Sequence, residues 1–389
     1  MKLRPFAVGA VLLAAAGCAE PLVFPDWTLP VDEGTRVVEY PYVAADERDA
    51  TIQWVDELVI GDRGDTDARY AFTRPGAVTV DARAQIYVVD TRANNVKVFD
   101  RNGGYLRELG RAGQGPGEFQ NPRSVASVGD HVIVGASRNG RWSHFDLDGN
   151  HIEDYPYPVY DNLELVQATP RGELVGSTFG MPEELDHVVL GYGVYTPTAE
   201  LQRAVVEVSY VQVPTIQRGG SRTYFGNMPQ AYPRVAVAAD GSIYWSRRDE
   251  YQILALDPAG AQRWALRIAW TPPPVSRTEI DAIMAMVRES DEDVTESEVN
   301  IPEREPAIGD LLVDGHGHLY VFHYVARAGQ APEAVPLDVY APDGERLFTG
   351  MSPPRSWVHA DGDYVWEIGT DPATEENVVR KVRLVEPFE

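Results

Sequence analysis

The stretch "DGHGHLYVFH" brings His316, His318 and His323 close together, and imidazoles so grouped can bind zinc. Their setting weakens that chemistry. His316 and His318 fall in a turn between two strand-like segments, and His323 at the far end of the second, so the pair and the third should leave the sheet at opposite edges. No cysteine ligand and no His-x-x-x-His helix completes a site. Solvated turn histidines are expected, with no metal and no cofactor. The glycine-rich "GRAGQGPGEFQNPRSVA" (residues 110–126) could cradle a phosphate, but no Lys-Ser or Lys-Thr closes it and no lone strand leads through it into a helix. Its glycines are better read as conformational devices in a tight link between strands. Asp90 and Asn94, bracketing "DTRAN", could pass for a polar dyad, yet residues so placed commonly hydrogen-bond a turn. No serine sits in a nucleophile elbow, and paired carboxylates mean little in so acidic a chain. No catalytic residue is assigned.

The elements that would position such residues form a repeat. Its clearest copy, "PGAVTVDARAQIYVVDTRANNVKVFDRNGGYLRELG" at 75–110, reads as four short strands: A (77–80), B (85–89), C (96–100) and D (105–109). The cycle restarts at Pro122, and weaker copies follow from Leu163, Pro233, Ala307 and Ser356. Turns from A to B fall near Arg83, Gly129, Gly172, Gly241, Gly315 and Gly362, and the two wide intervals after Gly172 and Gly241 imply insertions. A four-stranded unit cannot bury both faces alone, so neighbours must stack, and radial stacking gives a β-propeller. The last copy supplies three strands, and "TIQWVDELVIG" (51–61) is a spare one ahead of the first. The expected fold is therefore all-β, a six-bladed β-propeller in which the N-terminal strand closes the last blade as its strand D.

These residues resemble the six-bladed propellers built from NHL repeats, through the inter-blade link "GRAGQGPGEFQNPRSVA" and the core unit "IYVVDTRANNVKVFDRNGGYL". "IPEREPAIGDLLVDGHGHLYVF" (301–322) is similar to a stretch in exported bacterial members of that group. The resemblance implies a fold and a binding scaffold with no single activity attached. It also implies a rival reading, a metal-dependent lyase or hydrolase with its active site on the propeller axis.

"MKLRPFAVGAVLLAAAGC" has the layout of a secretory signal: early cations, an apolar run, then small residues, and it is too short for a membrane span. It ends at Cys18, the chain's single cysteine, and "AAGC" resembles a bacterial lipobox. That implies a signal peptide at 1–17 and an acylated Cys18, and Ala19 after it, being no aspartate, suggests the outer membrane; a tether at 18–50 would then carry the propeller, 51 to 389, on its periplasmic face. A formal net charge of -25 argues against nucleic acid as a partner, and against any membrane contact beyond the lipid anchor. A monomer is expected. One helical passage, an insertion at 276–305, opens with Ser276 and Glu279 as a capping box and sets Ile280, Ile283, Met284 and Val287 on one face. Covering the propeller's own apolar edge is its expected role.

In a propeller the B-to-C and D-to-A connections share one face, and the A-to-B and C-to-D turns the other. The first face then carries Arg92, Arg138, Arg141, Arg247, Arg248 and Arg327 at B-to-C turns, with Arg111, Arg123, Arg218 and Arg222 in D-to-A links. The second carries Asp81, Asp100, Asp146, Asp148, Asp240, Asp257, Asp314, Asp343 and Asp361. Guanidinium groups suit carboxylate and phosphate, so the arginines could bind an anionic small molecule or an acidic protein surface, with Trp142, Tyr224 and Trp245 adding specificity. The alternative is that aspartates fill tight turns for conformational reasons and arginines land elsewhere by default.

Overall fold

The computed structural model describes residues 30–61, 67–157, 163–169, 171–180, 188–210, 215–218, 221–224, 233–247, 250–290, 292–299, 301–325, 332–354 and 356–385. Six antiparallel sheets, blades 1 to 6, occupy residues 75–109, 122–156, 164–210, 234–269, 308–352 and 357–385. The innermost strands, Pro75–Val80, Pro122–Val128, Glu164–Ala168, Arg234–Val237, Ile308–Val313 and Trp357–Asp361, each pack on the next and close a ring. The strand Gln53–Gly61 pairs antiparallel with Asn377–Val385 and completes blade 6 from outside. The molecule is a six-bladed β-propeller, closed as the repeat count requires. All six expected A-to-B turns fall where the strands reverse.

The reason for the ring lies between the blades. Each seam holds its own apolar cluster: Tyr87, Val98 and Val132 between blades 1 and 2, Trp142 and Leu174 between 2 and 3, Val194 and Ile243 between 3 and 4. Ile253 and Val321 fill the next seam, Tyr320 and Val365 the one after, and Val88 and Trp366 the last. Strands such as Ile86–Asp90 and Leu319–His323 are buried on both faces because each face meets a different neighbour. Burying one such side chain is worth about 1.5–3 kcal/mol, so the seams hold the disc together. Polar stitches accompany them. The Arg107, Arg203 and Trp264 side chains of blades 1, 3 and 4 donate to the Leu147, Pro258 and Pro342 carbonyls in the C-to-D turn of the following blade.

Two features depart from expectation. Residues 36–41, assigned to the tether, form a strand, β1 (Arg36–Pro41), which pairs in parallel with Gln262–Ala269 as a fifth strand on blade 4. The chain then crosses blade 5, where Ile52 donates to the Met351 carbonyl and Met351 to that of Ala50. The alternation in "RVVEYP" is the signal for β1, but it is short and set among prolines. From residue 36 onward this segment is a strap on the propeller. Residues 1–29, with the signal peptide and Cys18, lie outside the described residues. Blade 3, weak as a repeat, nevertheless has four strands, and the wide interval after it contains the hairpin Thr215–Arg218 and Ser221–Tyr224.

The other wide interval holds helix α1 (Arg277–Ser290). The Ser276 hydroxyl accepts from the Glu279 backbone N–H at 3.2 Å, as a cap should. The Glu279 carboxylate accepts instead from the Tyr324 hydroxyl, which ties the insertion to blade 5. Ile283, Met284 and Val287 pack with Val294, Val299 and Ile301 of the returning chain. Among the described residues the helix therefore buries its apolar face against its own insertion rather than along a blade edge.

Candidate binding face

Connection lengths separate the two faces of the disc. Every A-to-B and C-to-D turn between strands joined in sequence spans two to five residues, for example 81–85, 129–130 and 257–261. Connections on the other face run from 91–94 and 353–356 up to 110–121, 211–233 and 270–307. Long links with their own secondary structure are where binding surfaces are usually built, and a rigid ring holds these in place.

The turn-face aspartates have a local task. One carboxylate oxygen of Asp81 accepts from the Arg83 and Gln85 backbone N–H groups, both at 2.8 Å. Asp100, Asp146, Asp257 and Asp314 repeat this pattern on the residues two and four further along. Asp240 and Asp343 each take one such bond. The Asn150 side chain and backbone N–H hold the Asp146 carboxyl below its ordinary value. Burial would raise that of Asp314, but the bonds from His318 outweigh it and lower it.

On the opposite face the glycine-rich link is a fixed object. Arg141 donates to the Gln114, Gly115 and Glu118 carbonyls from beneath it. Asn139 accepts from Gln120 N–H and donates to the Gly113 carbonyl, and Asn94 accepts from Asn121 N–H at 2.8 Å. Asp90, fully buried, accepts from the backbone N–H groups of Thr73, Arg74 and Ala93. At Gly110, φ is +66° and a β-carbon would stand 2.2 Å from the Phe119 ring, so only glycine fits. The link is punctuation between blades, and Asp90 and Asn94 serve turns.

The arginines named from sequence then part ways. Arg92 and Arg138 are exposed and have no ion-pair partner among the described residues. Arg111, also exposed, pairs with Glu118 at 2.8 Å, and Arg123 is exposed. Arg141 is committed to the link, and Arg247 pairs with buried Glu250 at 3.4 Å. Arg248 and Arg327 lie outside the described residues; Arg218 and Arg222 lie on the hairpin, where only the backbone is described. Of the aromatics, Trp142 is fully buried between Tyr157 and Tyr195 and belongs to the core, because its strand faces blade 3. Trp245 is half-buried, and the Tyr224 side chain lies outside the described residues.

The three histidines do not converge. His316 pairs with Asp363 and His318 with Asp314, on the turn face. His323 is no solvated turn histidine. Its side chain is 2% exposed, in a cluster that sequence reading missed. Its Nε2 contacts an Asp338 oxygen at 2.8 Å, Tyr251 donates to the same oxygen at 2.6 Å, Thr349 donates to the other, and Arg48 reaches both carboxylate oxygens. Burial pushes the His323 imidazole below its ordinary value, against the pull of Asp338. Burial would raise the Asp338 carboxyl, but His323, Arg48 and Tyr251 hold it well below the carboxylate range. With Arg48 fully buried, this constellation anchors the strap to blades 4 and 5. A charged residue inside the apolar run "PLDVY" was the available signal. Among the described residues no group of three His, Cys, Asp or Glu is placed to hold a metal.

Comparison with known proteins agrees with this architecture. The DUF5128 family model, a 6-bladed beta-propeller, matches residues 65–167, which span blades 1 and 2. The fold is a six-bladed propeller. The protein brain tumor of Drosophila melanogaster is 23% identical over 107 residues, 27% of this chain, and the chain spans only 10% of that relative's length. A solved structure from Bacteroides fragilis, described as an exported protein, superposes with a TM-score of 0.53 at 10% identity, covering 90% of this chain and 99% of that one. Virginiamycin B lyase of Staphylococcus aureus aligns over 86% of this chain and 99% of its own, with a TM-score of 0.39 at 12% identity, and carries no activity across.

Proposed function

We propose that this chain is an exported propeller of the NHL-repeat type, anchored through a lipid on Cys18 at the periplasmic face of the outer membrane, and that it works as a binding scaffold. The anchor reading rests on the leader and on Cys18 being the chain's single cysteine. The scaffold reading rests on one observation above all. In a chain of net charge -25, the connections at 91–94, 110–121 and 137–140, with Arg123 and Arg141 at the start of the strands that follow, hold five arginines against one glutamate. Four of the five, Arg92, Arg111, Arg123 and Arg138, are exposed on the face that carries the long links. A carboxylate- or phosphate-bearing partner would meet a positive sector on a rigid floor, and the surrounding negative charge would repel it elsewhere.

The direct test is calorimetric titration of the chain from residue 18, with Cys18→Ser, using a ten-residue glutamate peptide and inorganic pyrophosphate as probes. Binding of either probe should weaken about tenfold in Arg92→Glu/Arg138→Glu and fade as salt is added. Equal binding by the wild type and the variant would remove the arginine sector from consideration.

A further inference from the structure

The face that bears the long links is charged unevenly, and its two charged sectors lie half a ring apart. The arginine sector sits at the seam of blades 1 and 2. The insertion at 276–305, joining blades 4 and 5, carries ten acids and three arginines. Three blades separate these seams in a ring of six, so they are diametrically opposed. Glu289, Glu292 and Glu303 of the insertion are exposed and have no ion-pair partner among the described residues.

Bulk is divided the same way. The strand Thr215–Arg218 of the blade 3-to-4 hairpin touches the turn Glu296–Glu298 of the insertion, so the links of blades 3, 4 and 5 build on one another. Blades 1 and 2 carry the short connections 91–94 and 137–140 and the internally bonded link 110–121, with 62–74 entering blade 1 and 157–163 leaving blade 2, all shorter than 211–233 and 270–307. The bulkier links and the acidic insertion therefore lie on blades 3 to 5, and the lower, basic sector on blades 1 and 2.

We propose that two copies of this chain associate through this face. A twofold axis lying in the face and passing through blades 3 and 6 sets each copy's insertion over the other's arginine sector. This deepens the binding reading above and rests on it, since the arginine sector is again the anion-binding surface. A second copy satisfies both sectors at once and matches the bulkier links to the lower sector, and such isologous contacts close into dimers. The net charge does not forbid it, because at physiological ionic strength charges more than about 8 Å apart are largely screened and the facing groups decide. Along the axis like meets like, at Asp371, Glu375 and Glu376 above blade 6, so the affinity should be no better than micromolar. The association replaces the monomer that sequence alone suggests.

The test is sedimentation of the chain from residue 18, with Cys18→Ser, from about 1 to 200 µM in physiological salt. The wild type should pass from monomer to dimer. Arg92→Glu/Arg138→Glu and Glu289→Arg/Glu292→Arg should each weaken the dimer at least about tenfold, and an equimolar mixture of the two variants should dimerise again. That restoration also shows that both variants are folded. A wild type that stays monomeric, a dimer that neither variant weakens, or a mixture that fails to recover would each overturn the proposal. A monomeric wild type that still binds the glutamate peptide through Arg92 and Arg138 would sink the dimer and leave the anion-binding reading standing.

Discussion

The two faces of this propeller carry opposite charges for different reasons. On the turn face, seven of the aspartates in the tight turns spend carboxylate oxygens on backbone N–H groups of their own turns, so their acidity follows from how a strand reverses in two to five residues. On the opposite face the arginines divide between those that hold backbone, as Arg141 holds three carbonyls of the glycine-rich link, and those that hold nothing of their own, as Arg92 and Arg138. A count of charges from sequence gives both faces equal weight. The hydrogen bonds do not: the acidic face is explained by conformation, and the unexplained remainder is a few arginines on blades 1 and 2.

The largest effect is expected where a charge is wholly enclosed. Arg48 holds Asp338 in the seam of blades 4 and 5, and both side chains are nearly inaccessible. Arg48→Met should cost about 3–5 kcal/mol, because the Asp338 carboxylate would remain buried without its counter-ion. Urea unfolding measures this, and a loss below about 1 kcal/mol would show that the strap is not fastened there.

A middle-sized effect is expected on the turn face. Asp314, half-enclosed, accepts from two backbone N–H groups, His318 Nδ1 and the Tyr320 hydroxyl. Asp314→Asn should cost about 1–3 kcal/mol, since an amide offers one acceptor oxygen where the carboxylate offers two. The folded-state carboxyl is depressed below 3.8, so its contribution is fully present above that value and is lost as pH falls through the lower folded value. The variant should therefore show a flatter loss of stability below about pH 4 than the wild type. If the two acid limbs run parallel, the turn aspartates are not acting through their ionised form.

Period and turn chemistry made the ring legible in the sequence. The four-strand cycle, all six A-to-B turns and the closing strand at 53–61 follow from patterns a few residues long, which local physics sets. The strap and its buried cluster were not legible, because Arg48, Tyr251, His323 and Asp338 come from distant segments that only ring closure brings together. Likewise Arg141 and Arg138 read alike in "SRNGR". What separates them is that one side chain points under the link and the other into solvent, a difference set by the strand that begins at Arg141.

The smallest effect is the most informative about function. Arg92 and Arg138 lie on exposed four-residue connections and make no ion pair among the described residues, so Arg92→Glu/Arg138→Glu should change stability by no more than about 0.5 kcal/mol. Arg141→Ala is the matched control. It should loosen the glycine-rich link, whose Gln114, Gly115 and Glu118 carbonyls would lose their donor, and cost about 1–3 kcal/mol. Thermal unfolding of the two variants, run beside the peptide titration, separates residues that build the face from residues that use it. A double variant as damaging to stability as Arg141→Ala would place Arg92 and Arg138 among the builders, and the basic sector would then be as conformational in origin as the acidic face opposite.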